Sequence, residues 1–160
     1  MAIKVGEKIP SVNMRYLGAD GMKEISTDEL FGGKKVVIFG LPGAFTPTCS
    51  AKHVPGYVQH ADEIKAKGVD TIACVSVNDA FVMKAWSEDQ KAGDKVMMLA
   101  DGNADFTKAV GLELDARGFG MGLRSQRYAM IVDDGVVKEI AVEEGPGLDV
   151  SAAEKIIGKL

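Results

Sequence analysis

The chain has 160 residues, 46% hydrophobic and 26% charged, enough for one well-buried core and too few for two ordinary domains, so residues 1–160 are read as one domain. Lysine and arginine number 19 against 23 acidic residues, a formal charge of -4 without a polybasic run, which argues against nucleic acid or an anionic membrane as a partner. The opening MAIKVGEKIP lacks the apolar core of a signal peptide, and no apolar run approaches the roughly 20 residues of a bilayer span, so a soluble, cytoplasmic protein is expected.

In chain order, Val12 to Leu17 and Met22 to Ile25 flank Gly18-Ala19-Asp20-Gly21 and predict an N-terminal hairpin. Ser26-Thr27-Asp28-Glu29 then predicts a short helix ending before Gly32-Gly33. Val36 to Gly40 is a continuous apolar run of the kind found in a strand covered on both faces, and is the expected central strand. After the loop Leu41 to Pro47, Val54, Tyr57, Val58, Ala61 and Ile64 recur at helical spacing up to a Gly68 cap, with Pro55 expected to kink the helix about one turn after its start. Val69 to Val77 predicts a second buried strand, and Asn78-Asp79 caps a helix through Phe81, Val82, Ala85 and Trp86.

Lys95 to Leu99 predicts a third strand and Ala104 to Val110 a short helix closed by Gly111. Gly118 to Gly122 reads as a mobile loop, without the strand-to-helix context of a dinucleotide fingerprint. Tyr128 to Val132 and Val136 to Val142 form a hairpin around Asp133-Asp134-Gly135, and Ser151-Ala152-Ala153-Glu154 is a capping box for the last helix. The sum is an α/β fold with early strands parallel and a late antiparallel hairpin, the pattern of a thioredoxin-like mixed central sheet flanked by helices with an N-terminal hairpin extension.

The chain holds two cysteines, Cys49 and Cys74, and two histidines, His53 and His60. They make neither a disulfide framework nor a zinc constellation, so no structural metal is expected. Cys49 lies in Gly40-Leu41-Pro42-Gly43-Ala44-Phe45-Thr46-Pro47-Thr48-Cys49-Ser50, between the central strand and the following helix, where open α/β sheets place their sites. In the first turn of that helix, unpaired backbone N–H groups and the positive end of the dipole favour thiolate over thiol. Thr46, three residues earlier, is close enough for its hydroxyl to bond the sulfur or an oxygen approaching it, and Pro42 and Pro47 stiffen the loop. The competing reading is a small buried core cysteine beside a proline-rich turn.

Pro42, Thr46 and Cys49 stand in the P-x-x-x-T-x-x-C spacing of the peroxiredoxins, and Cys49 to Gly56, Val75 to Phe81 and Arg127 to Gly135 resemble the type II, peroxiredoxin V-like branch. The likeness runs over nearly the whole chain. It implies a thiol peroxidase in which Cys49 is the peroxidatic cysteine, attacking the terminal peroxide oxygen and becoming a sulfenic acid. Thr46 would then bond the peroxide and sulfur, Pro42 would shield the pocket, and an arginine would stabilise thiolate and leaving oxygen, with no cofactor required. Arg124 and Arg127 compete for that role. The family pattern places the arginine directly before the aromatic residue opening the strand, here Tyr128, which selects Arg127 and leaves Arg124 as a charge at the pocket mouth.

Cys74 sits within an apolar run and reads as a buried structural thiol, although some plant members of the branch pair a cysteine in this strand with the peroxidatic one. The C-terminal resolving cysteine of animal peroxiredoxin V is replaced here by Gly147-Leu148-Asp149-Val150-Ser151. The resemblance therefore implies recycling by an external thiol such as glutathione/glutaredoxin, with thioredoxin as the alternative, and a homodimer. His53, four residues after Cys49, reads as a hydrogen-bonded or partly exposed structural histidine. Two rival readings are a thioredoxin-type oxidoreductase, disfavoured because Thr46 stands where the first cysteine of C-x-x-C would be, and a non-turnover redox sensor.

Overall fold

The computed structural model describes residues 1–145 and 147–160. β1 (Asn13–Gly18) and β2 (Gly21–Ser26) pair antiparallel around Ala19-Asp20. Ser26 then caps α1 (Thr27–Phe31) through a reciprocal capping box with Glu29. β3 (Lys35–Gly40) is buried from Val36 onward, with Val37 and Phe39 entering one apolar core and Val36 and Ile38 the core on the opposite face. Burial on both sides is why this segment shows no polar alternation.

The helical stretch beyond the loop differs from the expected kinked helix. A π-helical turn spans Cys49–His53, with the Val54 N–H reaching back five residues to the Cys49 carbonyl. α2 (Val54–Gln59) follows with Pro55 in its first turn, and the break to α3 (Ala61–Ala66) falls at His60 instead. The proline ring collides with a carbonyl four residues back in a regular α-helix, and the wider π turn relieves that collision.

β4 (Thr71–Ser76) leads to α4 (Ala80–Asp89), capped by the Asp79 carboxylate on the Val82 N–H. The buried face of α4 is Ala80, Met83 and Trp86, whereas Phe81 is exposed. β5 (Met97–Ala100) and α5 (Asp105–Ala109) follow. The stretch around Gly118–Gly122 is also more ordered than a plain loop. It joins a two-stranded ribbon of β6 (Glu113–Asp115) and β7 (Leu123–Ser125) through a 3-10 turn over Arg117–Phe119.

β8 (Tyr128–Asp133) and β9 (Val136–Val142) form the predicted hairpin, with Asp134 at φ 48° and Gly135 at φ 80°, the left-handed pair of a type I′ turn. α6 (Ala153–Ile157) starts without the predicted capping box. Ala152 occupies the cap position, and the Ser151 hydroxyl donates instead to the Glu143 carboxylate at 2.6 Å, a charged and hence stronger acceptor.

The seven-stranded sheet has the order β2-β1-β5-β4-β3-β8-β9. β3, β4 and β5 run parallel, and β8 and β9 join antiparallel on one side. The opening hairpin docks on the other side through Arg15 and Ala100, so it extends the sheet itself. The middle strand is β4, and β3, expected there, is its buried neighbour, because the opening hairpin adds two strands on the β5 side. The chain is thus an α/β protein with a mixed sheet, helices on both faces, and the loop after β3 emerging beside the strand that follows Arg127. No helix among the described residues is long and apolar enough to cross a membrane.

Candidate active site

The loop leaving β3 is fixed before it reaches Cys49. The Asn78 side-chain oxygen accepts from the Ala44 N–H at 3.0 Å and from the Ser76 hydroxyl at 2.6 Å, tying this loop to the one after β4. Helical geometry begins at Pro47, so Cys49 is the third helical residue, where backbone N–H groups lack intrahelical partners. Its side chain is fully buried. Ser50, next to it, accepts from the indole N–H of Trp86 at 3.0 Å, which anchors this turn to α4.

Arg127, 7% exposed and immediately before β8, meets the turn from the other side. Its Nη2 donates to Cys49 Sγ at 3.3 Å and its Nη1 to His53 Nδ1 at 2.9 Å. One planar fork therefore spans two residues four positions apart on the π turn. A guanidinium can only donate, so Nδ1 of His53 must carry the lone pair and Nε2 the proton, which Nε2 donates to the Ser151 carbonyl at 3.3 Å. The imidazole is held neutral. Burial and then the Arg127 charge lower its pKa from 6.5 to about 3, outweighing the opposite pull of the Ser151 carbonyl and Glu143. Phe39, tilted against His53 at 4.8 Å, and Tyr57, stacked on Phe39 at 4.0 Å, pack the ring in place.

The electrostatics follow from Arg127 having no carboxylate within 4 Å among the described residues. A guanidinium stays charged even when buried, and a buried charge without a counter-charge is costly. Among the described residues the acceptors this guanidinium does meet are Cys49 Sγ and His53 Nδ1. The Nε of Arg127 is also buried without a partner among the described residues, so the guanidinium retains an unused donor.

The other predicted residues fall nearby in differing roles. The Thr46 hydroxyl donates to the Gly43 carbonyl at 2.7 Å, so its proton is committed within the loop and its oxygen is left to accept. Pro42 is half-buried, and its carbonyl accepts from Arg124 Nη1 at 3.4 Å. Arg124 also donates to the Met121 carbonyl at 2.9 Å and makes no bond to Cys49, so of the two arginines only Arg127 bonds the sulfur. Cys74, on β4 opposite Phe39, is buried. Burial first, and the neighbouring Cys49 second, push its thiol well above the usual range against a smaller pull from Arg127.

His53 is hydrogen-bonded as expected, but its bond to Arg127 makes it part of the site, a role the sequence reading did not assign. Its spacing of four from Cys49 was the available signal. Ser151 and Glu143, which hold it from behind, carried no such signal. Among the described residues no group of three or more His, Cys, Asp and Glu side chains is arranged for a metal ion.

This arrangement, a buried thiol in the first turn of a helix under an arginine fork, suits nucleophilic attack by sulfur on an electrophile that leaves as an anion. The Redoxin family model matches residues 4–157. Peroxiredoxin-2E, chloroplastic, of Arabidopsis thaliana is 50% identical over 99% of this chain and 70% of its own length. Among solved structures, reduced Prx3 from Vibrio vulnificus in complex with hydrogen peroxide is 57% identical over 98% of each chain, with a TM-score of 0.95. Peroxiredoxin 5 from Alvinella pompejana is 38% identical over 91% of this chain and 92% of its own, with a TM-score of 0.81. Since these likenesses run from end to end and share the fold that carries Cys49, the chain belongs to the redoxin family and, within it, to the type II, peroxiredoxin V-like peroxiredoxins, which are thiol-dependent peroxidases.

Proposed function

We propose that Cys49 is the peroxidatic cysteine, that it reduces hydrogen peroxide and organic hydroperoxides, and that an external thiol of the glutathione/glutaredoxin type regenerates it. The observation that carries this reading is the 3.3 Å contact between the buried Arg127 fork and Cys49 Sγ, with no carboxylate among the described residues competing for the charge. The thiolate attacks the terminal peroxide oxygen, an S–O bond forms as the O–O bond breaks, and the sulfur becomes a sulfenic acid. The departing alkoxide or hydroxide takes up a proton and leaves as alcohol or water. Arg127 offsets the charge moving from sulfur to leaving oxygen, Thr46 Oγ1 accepts from the peroxide O–H because its own proton is committed to Gly43, and Pro42 limits water entry. Hydrogen peroxide as a substrate is supported by the complex of the Vibrio relative.

External regeneration is supported by Cys74, which is fully buried in a sheet strand and kept in its neutral form by that burial. A neutral thiol is a poor nucleophile toward a sulfenic acid. A homodimer accords with the exposed rings of Phe45, Phe81 and Phe119, apolar area that a partner would cover.

The test is peroxide consumption by wild-type, Cys49→Ser and Cys74→Ser proteins, each supplied with glutathione plus glutaredoxin or with thioredoxin. Loss in Cys49→Ser alone, with glutathione-linked turnover kept in Cys74→Ser, is expected. Loss in Cys74→Ser as well would make Cys74 the resolving cysteine of a thioredoxin-type cycle. Full activity in Cys49→Ser would overturn the assignment, and one stoichiometric oxidation without turnover would instead indicate a redox sensor.

A further inference from the structure

Behind His53 lies a second group of contacts that the peroxide chemistry does not itself require. Glu143 follows β9, and its backbone N–H donates to the Arg127 carbonyl at 2.9 Å, so it sits across the ladder from that arginine. A single carboxylate oxygen of Glu143, Oε2, accepts from the Asp149 N–H at 2.8 Å, the Ser151 N–H at 2.9 Å and the Ser151 hydroxyl at 2.6 Å. Burial alone would raise this carboxyl, but the Ser151 hydroxyl and the backbone N–H groups around it hold it below the ordinary carboxylate range. The result is a tight turn that directs the Ser151 carbonyl inward, where it accepts from Tyr57 Oη at 2.7 Å and His53 Nε2 at 3.3 Å.

We propose that Glu143 is a positioning residue for Arg127: by drawing Asp149–Ser151 around one carboxylate oxygen it places the Ser151 carbonyl on His53 Nε2, and so fixes the tautomer whose Nδ1 lone pair receives Arg127. The chain of contacts is continuous from Glu143 through Ser151 and His53 to Arg127 and Cys49. Without the Ser151 acceptor, the Nδ1–H tautomer becomes competitive. That tautomer presents a hydrogen to a guanidinium that can only donate, so the fork loses its second anchor and its place at the sulfur. The proposal rests on the assignment of Arg127 to the peroxide step.

The experiment combines a spectroscopic and a kinetic readout on Glu143→Ala. In protein labelled with nitrogen-15 at histidine, only His53 and His60 contribute, and a His53→Gln sample assigns the signals. Wild-type His53 is expected as a single Nε2–H tautomer, and Glu143→Ala as a mixture. kcat/KM for hydrogen peroxide is expected to fall about tenfold or more in Glu143→Ala, the scale of a misplaced catalytic group. It should fall by less than about twofold further when the same change is made in a His53→Ala background, because the two residues act on one path. Should Glu143→Ala not fold, Glu143→Asp, which keeps the charge but withdraws the carboxylate by one methylene, is read the same way. An unchanged tautomer, or an effect of equal size in the His53→Ala background, would overturn the proposal. Arg127→Lys with unimpaired peroxide turnover would instead overturn the functional reading on which it rests.

Discussion

Acidification should weaken this fold through His53 by an amount its environment sets. The ring is 1% exposed, and its pKa moves from 6.5 in an unfolded chain to about 3 in the fold. Between those values the unfolded chain binds a proton that the native state refuses, so stability contributed above pH 6.5 is lost as pH falls, by about 1.4 kcal/mol for each pH unit. From about pH 7 to about pH 4.5 the loss through this one residue is about 2.5 kcal/mol, a large share of an ordinary domain's stability. Carboxylates protonate over part of the same range, and their contribution must be subtracted. His53→Gln does so: its amide can accept from Arg127 and donate to the Ser151 carbonyl without titrating. Urea unfolding of both proteins at the two pH values should show wild type losing about 2.5 kcal/mol more than the variant. Parallel losses in the two proteins would mean that His53 is not held neutral by its surroundings, and would undo the tautomer argument with it.

Arg127→Lys keeps a positive charge but cannot hold both the 2.9 Å contact to His53 and the 3.3 Å contact to Cys49 in one plane, so kcat/KM for peroxide should drop about a hundredfold. Activity within about twofold of wild type in a stopped-flow or coupled assay would remove the fork from the mechanism. Gly40→Ala should destabilise by about 1–3 kcal/mol, because its Cβ would lie 2.6 Å from Cζ of the buried Tyr128 ring across β3 and β8. An unchanged urea midpoint would show that the ring can withdraw freely. Tyr128→Phe should raise stability by roughly 1 kcal/mol, since the phenol oxygen is buried without a partner among the described residues, and a loss of stability would show the hydroxyl to be bonded.

Much of the framework could be read in the amino-acid order, where local chemistry and tertiary burial agree. The unbroken Val36 to Gly40 run became a buried interior strand beside the middle one, Asp79 became a helix cap, and Asp134-Gly135 became a two-residue hairpin turn. The pairing of Cys49 with Arg127 came from a family pattern, since nothing local to either residue points to the other across 78 positions. The differences from the expected elements have separate causes. The π turn shifts the helical register by one residue, and a spacing rule built on 3.6 residues per turn does not register such a shift. The helix predicted through Phe81, Val82, Ala85 and Trp86 is present as α4, and its buried side is that of Ala80, Met83 and Trp86. Ser151 looked like a helix cap by its spacing to Glu154, but a carboxylate eight residues upstream took its hydroxyl, a contact with no sequence periodicity at all.

The chain contains one tryptophan, and its indole N–H is spent on Ser50, the neighbour of Cys49. A rearrangement of that turn that moved Ser50 would strip the indole of its acceptor and alter the polarity it senses. The protein therefore carries a built-in fluorophore bonded to the turn that holds Cys49, and its intrinsic emission would report such a movement without an attached dye.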